Sequence, residues 1–143
     1  MTAAKNRLNG SMGYLQINGE DWGEVSEVKL KIELEYKDIR RGLDIDKKMT
    51  GRRGKGVLTL KRAYSRAAEI LDRIKEGTEP SYRLVTWIAD PDAYGRQEER
   101  IAIDSIKFSN IDLFGFTHGD VVSDSYEFFF VPGDIVYLDR IEA

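Results

Sequence analysis

The chain has 143 residues, a formal net charge of −3 and no cysteine. That length predicts one domain, residues 1–143, able to bury roughly 70% of the surface its unfolded chain exposes without disulfides or metals. The missing thiols exclude disulfide frameworks, Cys-based zinc sites and cysteine nucleophiles, the slight acidity argues against a dedicated nucleic-acid binder, and no apolar run suits a signal peptide or a membrane span.

Tyr14 to Ile17 and Trp22 to Val25 flank Asn18-Gly19, a pair that tolerates positive φ, so the chain is predicted to open with a hairpin. From Val28 to Lys37, Leu30, Ile32, Leu34 and Tyr36 alternate with Lys29, Lys31, Glu33, Glu35 and Lys37. Period two places the apolar set on one face and the charged set on the other, as in a sheet with one wet side. Asp38 to Gly56 is predicted as a long loop, and Val57 to Leu60 as the next strand. The period then becomes helical across Ala63, Ala67, Ile70, Leu71 and Ile74, giving a helix over 63–76 closed by Gly77 and Pro80. Strands follow over Tyr82 to Ala89, Arg100 to Phe108, Asp124 to Val131 and Ile135 to Leu138. Turns are supplied by Asp90-Pro91-Asp92, Tyr94-Gly95, His118-Gly119-Asp120 and Pro132-Gly133. The alternation slips near Asp104-Ser105, which predicts a bulge, and Phe128-Phe129-Phe130 predicts a strand covered on both faces, by the helix or by a partner.

Charge is unevenly placed along the chain. Residues 1–71 hold 15 Lys and Arg against 10 Asp and Glu, a net of +5, and residues 72–143 hold 7 against 15, a net of −8. A basic and an acidic face on one molecule would favour head-to-tail contact between copies; a folded surface that mixes the two halves would cancel the effect.

Catalytic constellations are scarce. The single histidine, His118, lies in a Gly-Asp turn without a Gly-x-Ser-x-Gly elbow, and such a histidine is ordinarily just solvated. Gly51-Arg52-Arg53-Gly54-Lys55-Gly56 fails the phosphate-loop spacing. Asp90-Pro91-Asp92-Ala93-Tyr94-Gly95 resembles the start of a calcium loop, but Tyr94 takes a ligand position and Ile101 stands where a bidentate Glu belongs. Glu98 and Glu99 are adjacent in a strand and so point to opposite faces, which defeats a paired-acid mechanism. No cofactor or metal is expected, and no enzymatic activity.

The segment from Asp38 to Gly56 stands apart, because connections longer than about 12–15 residues tend to be functional or disordered. Arg40, Arg41, Lys47, Lys48, Arg52, Arg53 and Lys55 make it basic, four glycines let it extend, and Ile39, Leu43, Ile45 and Met49 are apolar anchors a solvated loop would not need. It reads as an arm docking on a neighbouring subunit, as a nucleic-acid contact or as a disordered tip. The anchors favour docking, with Arg40, Arg41, Leu43, Ile45, Met49, Arg52, Arg53 and Lys55 as the contact set.

Several motifs together resemble the tail tube proteins of contractile-tailed bacteriophages, in particular the PBSX-type family. They are Asn9-Gly10-Ser11-Met12-Gly13 leading into Ile17-Asn18-Gly19-Glu20, Met49-Thr50-Gly51-Arg52 with Gly54 and Gly56, Lys75-Glu76-Gly77 with Pro80, Glu99-Arg100, and Tyr126-Glu127-Phe128-Phe129-Phe130. Each is weak alone; their order covers nearly the whole chain. The resemblance implies a mainly β fold, a sandwich or barrel-like protomer with one flanking helix and a long loop between early strands. It further implies six copies in a ring, and rings stacked into a hollow tube through which DNA passes without specific binding. Sheath, tape-measure and baseplate proteins would be its partners, and its place would be a virion tail assembled in the bacterial cytoplasm. Lys29, Lys31, Glu33, Glu35 and Lys37 then become a candidate lumen lining, whose mixed sign suits passage better than binding. A secretion-system tube protein and a small nucleic-acid-binding β domain are the alternatives. A lipocalin-type barrel would account for the strands but gives no reason for the basic segment.

Overall fold

A computed structural model describes residues 13–89 and 98–140. Among these residues, eight strands and one helix form in the order β1 (Gly13–Ile17), β2 (Glu20–Asp21), β3 (Val25–Arg41), β4 (Asp44–Lys61), α1 (Arg66–Lys75), β5 (Tyr82–Ala89), β6 (Glu98–Ile111), β7 (Ser123–Phe130) and β8 (Ile135–Asp139). They make one antiparallel sheet, ordered β2-β1-β5-β6-β7-β4-β3, with β8 continuing the line of β7 along β6 beyond the short 3-10 turn Pro132–Asp134. The mainly β fold, with one flanking helix among the described residues, is therefore as expected. The turns expected in residues 90–95 and the Asn9 to Met12 part of the resemblance lie outside the described residues.

Local chemistry explains the turns that were anticipated. Asn18 and Gly19 take φ of 53° and 80°, so β1 turns tightly into β2. The expected bulge is present: Tyr82 faces Ile106 and Leu84 faces Ile103, which leaves Asp104 and Ser105 opposite Arg83 alone. The helix begins three residues later than expected and ends against Gly77, whose φ is 81°.

The core lies on the inner face of the curled sheet. Leu15, Ile17, Leu58, Leu84, Ile103, Ile106, Tyr126, Phe128 and Phe130 are buried there, with Ala67 and Ile70 of α1 packed into the same cluster. Arg66 pins the helix start: its guanidinium donates to Glu24 at 2.8 Å and to Glu20 at 2.6 Å and lies 5.1 Å over the Trp22 ring. The bond to Glu24 raises the Arg66 pKa further, so the group stays charged although nearly buried. One face of the Phe128-Phe129-Phe130 strand is covered as expected, and the other is the face a partner would have to cover. Phe128 and Phe130 enter the core, but α1 lies on that same side and Phe129 is 51% exposed on the other.

Residues 38–56 are not a loop, and this is the largest correction. With one bulge at Thr50, the ladder continues from Glu33↔Arg53 through Tyr36↔Met49 and Asp38↔Lys47 to Arg41↔Asp44, and only Gly42 and Leu43 are left at the tip. Gly42 has φ of 64°. Three of the four glycines assigned to flexibility are strand residues. Phe128 and Phe130 lie flat on Gly56 and Gly54, where any Cβ would overlap the rings, and Gly51 faces Glu35.

Candidate functional site: a projecting hairpin and a charged sheet face

β3 and β4 have 17 and 18 residues, about three times the usual strand length. The pairing of β4 with β7 ends at Gly54↔Phe130, so residues 32–53 extend past the sheet as a two-stranded ribbon. Ten residues at about 3.3 Å each give an arm of roughly 33 Å. An isolated two-stranded hairpin is marginal in water, and no side chain between Ile32 and Arg53 is buried.

Strand parity sorts the arm into two faces. On the face that continues the core stand Ile32, Leu34, Tyr36 and Arg40 of β3 and Ile45, Met49 and Arg52 of β4. Ile32, Leu34, Tyr36, Ile45 and Met49 are between 48% and 63% exposed, and Leu43 at the tip is fully so. An apolar stripe thus runs from the core into solvent. The expected contact residues Arg41, Arg53 and Lys55, and the anchor Ile39, fall on the opposite face. The contact set is therefore divided between two surfaces and a tip.

The opposite face gathers Lys29, Lys31, Glu33, Glu35 and Lys37 on one strand, as alternation requires. Glu33 sits between Lys31 at 3.6 Å and Lys55 at 3.4 Å, and Glu35 pairs with Arg53. The hydrogen bond from Lys55 leads in holding the Glu33 carboxyl below its ordinary pKa. These exposed pairs stabilise little, and the two carboxylates offset only part of the positive charge that Lys29, Lys31, Lys37, Arg53 and Lys55 bring to this face. Where β4 carries Thr50 as an extra residue opposite Glu35 and Tyr36, the ribbon bends.

Two features escaped sequence reading. One is an open groove of about 920 Å³ between β3 and the β1, β5, β6 and β8 side of the curl, walled by Leu30, Ile32, Trp87, Ile101, Phe130 and Tyr137. It arises from closure of the sheet, which no local pattern encodes. The other is the β6–β7 connection, where Phe114, Phe116 and Val121 are 78%, 64% and 75% exposed. Leu113-Phe114-Gly115-Phe116 was its signal, masked by the turn chemistry around His118. The His118 ring is packed edge-on to Phe116 at 5.5 Å. Glu98 and Glu99 take opposite faces of β6, Glu98 pairing with Arg100 at 3.5 Å. Among the described residues no cluster of His, Asp and Glu is arranged to hold a metal.

A β sheet that throws one hairpin far beyond its own core, with an apolar underside and a charged face of mixed sign, is built for contact. Compared with family models, residues 1–139 match the one described as phage tail tube protein. The chain belongs to the phage tail tube protein family. No curated protein matches it by sequence. Among solved structures, the tail tube chain shares its fold with the tube terminating cap of the anti-feeding prophage, at TM-score 0.72 and 8% identity over 94% of this chain and 92% of that one. The sheath–tube complex of an extracellular contractile injection system, in its extended state, gives TM-score 0.71 and 8% identity over 96% and 95%. The tail of an empty gene transfer agent particle with C6 symmetry gives 0.58 and 13% over 92% and 98%. At those identities the likeness is one of fold.

Proposed function

We propose that this tail tube protein self-assembles into six-membered rings that stack as the hollow inner tube of a contractile phage tail or phage-like particle, the conduit for DNA. The observation that carries this reading is the hairpin of residues 32–53, which is ordered yet supplies none of its own burial. Its apolar stripe is the surface a neighbouring copy would cover, and an arm of roughly 33 Å is long enough to pass the edge of its own body. Membership of the tail tube family supports the structural role, and the six-fold tail of the gene transfer agent, whose chain shares this fold, supports the ring number. Lys29, Lys31, Glu33, Glu35 and Lys37 face the lumen in this reading, where a lining of mixed sign suits the passage of a polyanion better than a uniformly basic one, which would hold it. Sheath subunits would lie outside the tube, a tape-measure protein within it, and a baseplate at its end. The chain would form a single domain, residues 1–143, in a virion tail assembled in the bacterial cytoplasm, and it would have no catalytic activity.

Negative-stain microscopy of the concentrated protein tests the proposal. Six-fold rings or stacked tubes are expected. A strictly monomeric particle at every concentration and ionic strength would sink it.

A further inference from the structure

The exposed β6–β7 connection is too well built to be an idle turn. Arg62 Nη2 donates to the Leu113 carbonyl at 3.0 Å, the Arg62 amide donates to the Val122 carbonyl at 2.9 Å, and Asp112 accepts from the Ser125 amide at 2.8 Å. Phe114 lies under the Arg62 guanidinium, 5.9 Å from it, and meets Phe116 edge-on, also at 5.9 Å. Arg62 is itself fixed by a double bond pair to the buried Asp124, at 2.8 and 2.9 Å. The segment thus presents its aromatic side chains to solvent on a preorganised frame, a feature that lowers the cost of binding.

Its place in the fold decides what it meets. Lys61 pairs with Ser123, so the connection sits at the base of β4, while the hairpin tip is at the far end of the same strand. The seventeen steps from Asp44 to Lys61 separate them by roughly 55 Å. No copy can bring its own tip to its own aromatic loop. A second copy displaced along the strand direction can, and such a head-to-tail contact repeats without closing. The chemistry matches: the tip offers Leu43 and Ile45 with Arg40, Arg41, Lys47 and Lys48 outnumbering Asp44 and Asp46. The loop offers Phe114, Phe116 and Val121, and Asp112 and Asp120 with no Lys or Arg between residues 108 and 139.

We propose that the loop Leu113–Val121 is the receptor for the hairpin tip of a second copy, so that each stacked layer is joined to the next by a Leu43-to-Phe116 contact. This rests on the stacked-tube reading above and specifies the surface that does the joining. The natural chain lacks cysteine, so Leu43→Cys with Phe116→Cys gives a clean test under oxidation or with a short bis-maleimide. The double variant is expected to yield a ladder of covalent multimers on denaturing gels. Mixing the two single variants is expected to stop at dimers. Ile45→Cys with Phe114→Cys repeats the test at a second position, and Leu43→Cys with Tyr137→Cys is the control on the side of the body. Tubes in the microscope without a ladder from either tip-to-loop pair, or a ladder from the control pair alone, would overturn the inference and leave the tube standing. Wild-type protein that forms neither rings nor tubes would remove both.

Discussion

At the residue scale, the two glycines under the phenylalanine rings are where sequence and packing meet most closely. Gly56 and Gly54 leave space that Phe128 and Phe130 fill, and both rings are anchored in the core. Gly56→Ala is expected to cost about 1–3 kcal/mol in urea unfolding, because the ring, locked by Phe108 and Phe130, has nowhere to go. Gly51→Ala is the control: its Cβ would meet only the movable carboxylate of Glu35, at 3.2 Å, and a loss below about 0.5 kcal/mol is expected. Tyr126 makes a second residue-scale statement. Burial pushes its hydroxyl up to about 12. The unfolded chain ionises this tyrosine near 10, so above that pH the unfolded state binds fewer protons and stability falls as pH rises towards 12. Tyr82, also raised by burial, acts in the same direction. Tyr126→Phe should therefore flatten, without abolishing, the fall in denaturation midpoint between pH 10 and 12, an effect on the order of 2 kcal/mol at the alkaline end.

At the scale of elements, the Arg62–Asp124 pair joins the base of β4 to the start of β7 and carries the aromatic loop on its outer side. Asp124 is buried, and its bond to Arg62 leads in raising the Arg62 pKa. Arg62→Leu leaves a buried carboxylate without that partner. A loss of about 1–3 kcal/mol is expected, together with faster hydrogen exchange at residues 113–122 than at β7. Whether such elements were legible in the sequence depended on whether their pattern was local. Leu30, Ile32, Leu34 and Tyr36 alternate cleanly, Asn18-Gly19 demands a tight turn, and the slip at Asp104-Ser105 is a bulge written in the chain. The distal hairpin reads as a loop because its faces carry no hydrophobic alternation: Arg40 lies beside Ile45, Lys37 opposite Lys48, and Gly54 and Gly56 at its base answer rings more than seventy residues away. Glycine spacing of two was the signal, since alternate positions of a strand share a face. The groove and the buried Arg66 cluster depend on contacts between distant segments, for which the sequence holds no periodic mark.

At the scale of the whole molecule, stability and assembly are assigned to different parts. Every buried hydrophobic residue among those described lies outside residues 33–53, while the exposed apolar stripe lies largely within them. That division makes the arm removable, provided the cut respects the ladder. Deleting Leu43 to Arg53 alone would strip β4 from β3 and leave ten residues of unpaired edge, confounding docking with aggregation. Replacing Leu34 to Arg52 by Asn-Gly keeps Glu33 opposite Arg53 and closes the shortened ribbon with a turn suited to two strands. The shortened protein should unfold with a free energy within about 1 kcal/mol of the parent and retain its near-ultraviolet circular dichroism, because no core contact has been touched. Sedimentation velocity at concentrations where the parent forms rings or tubes should show it to be monomeric. If it unfolds, the arm is part of the core; if it still polymerises, the surface that joins the copies lies on the body and the hairpin is only an accessory.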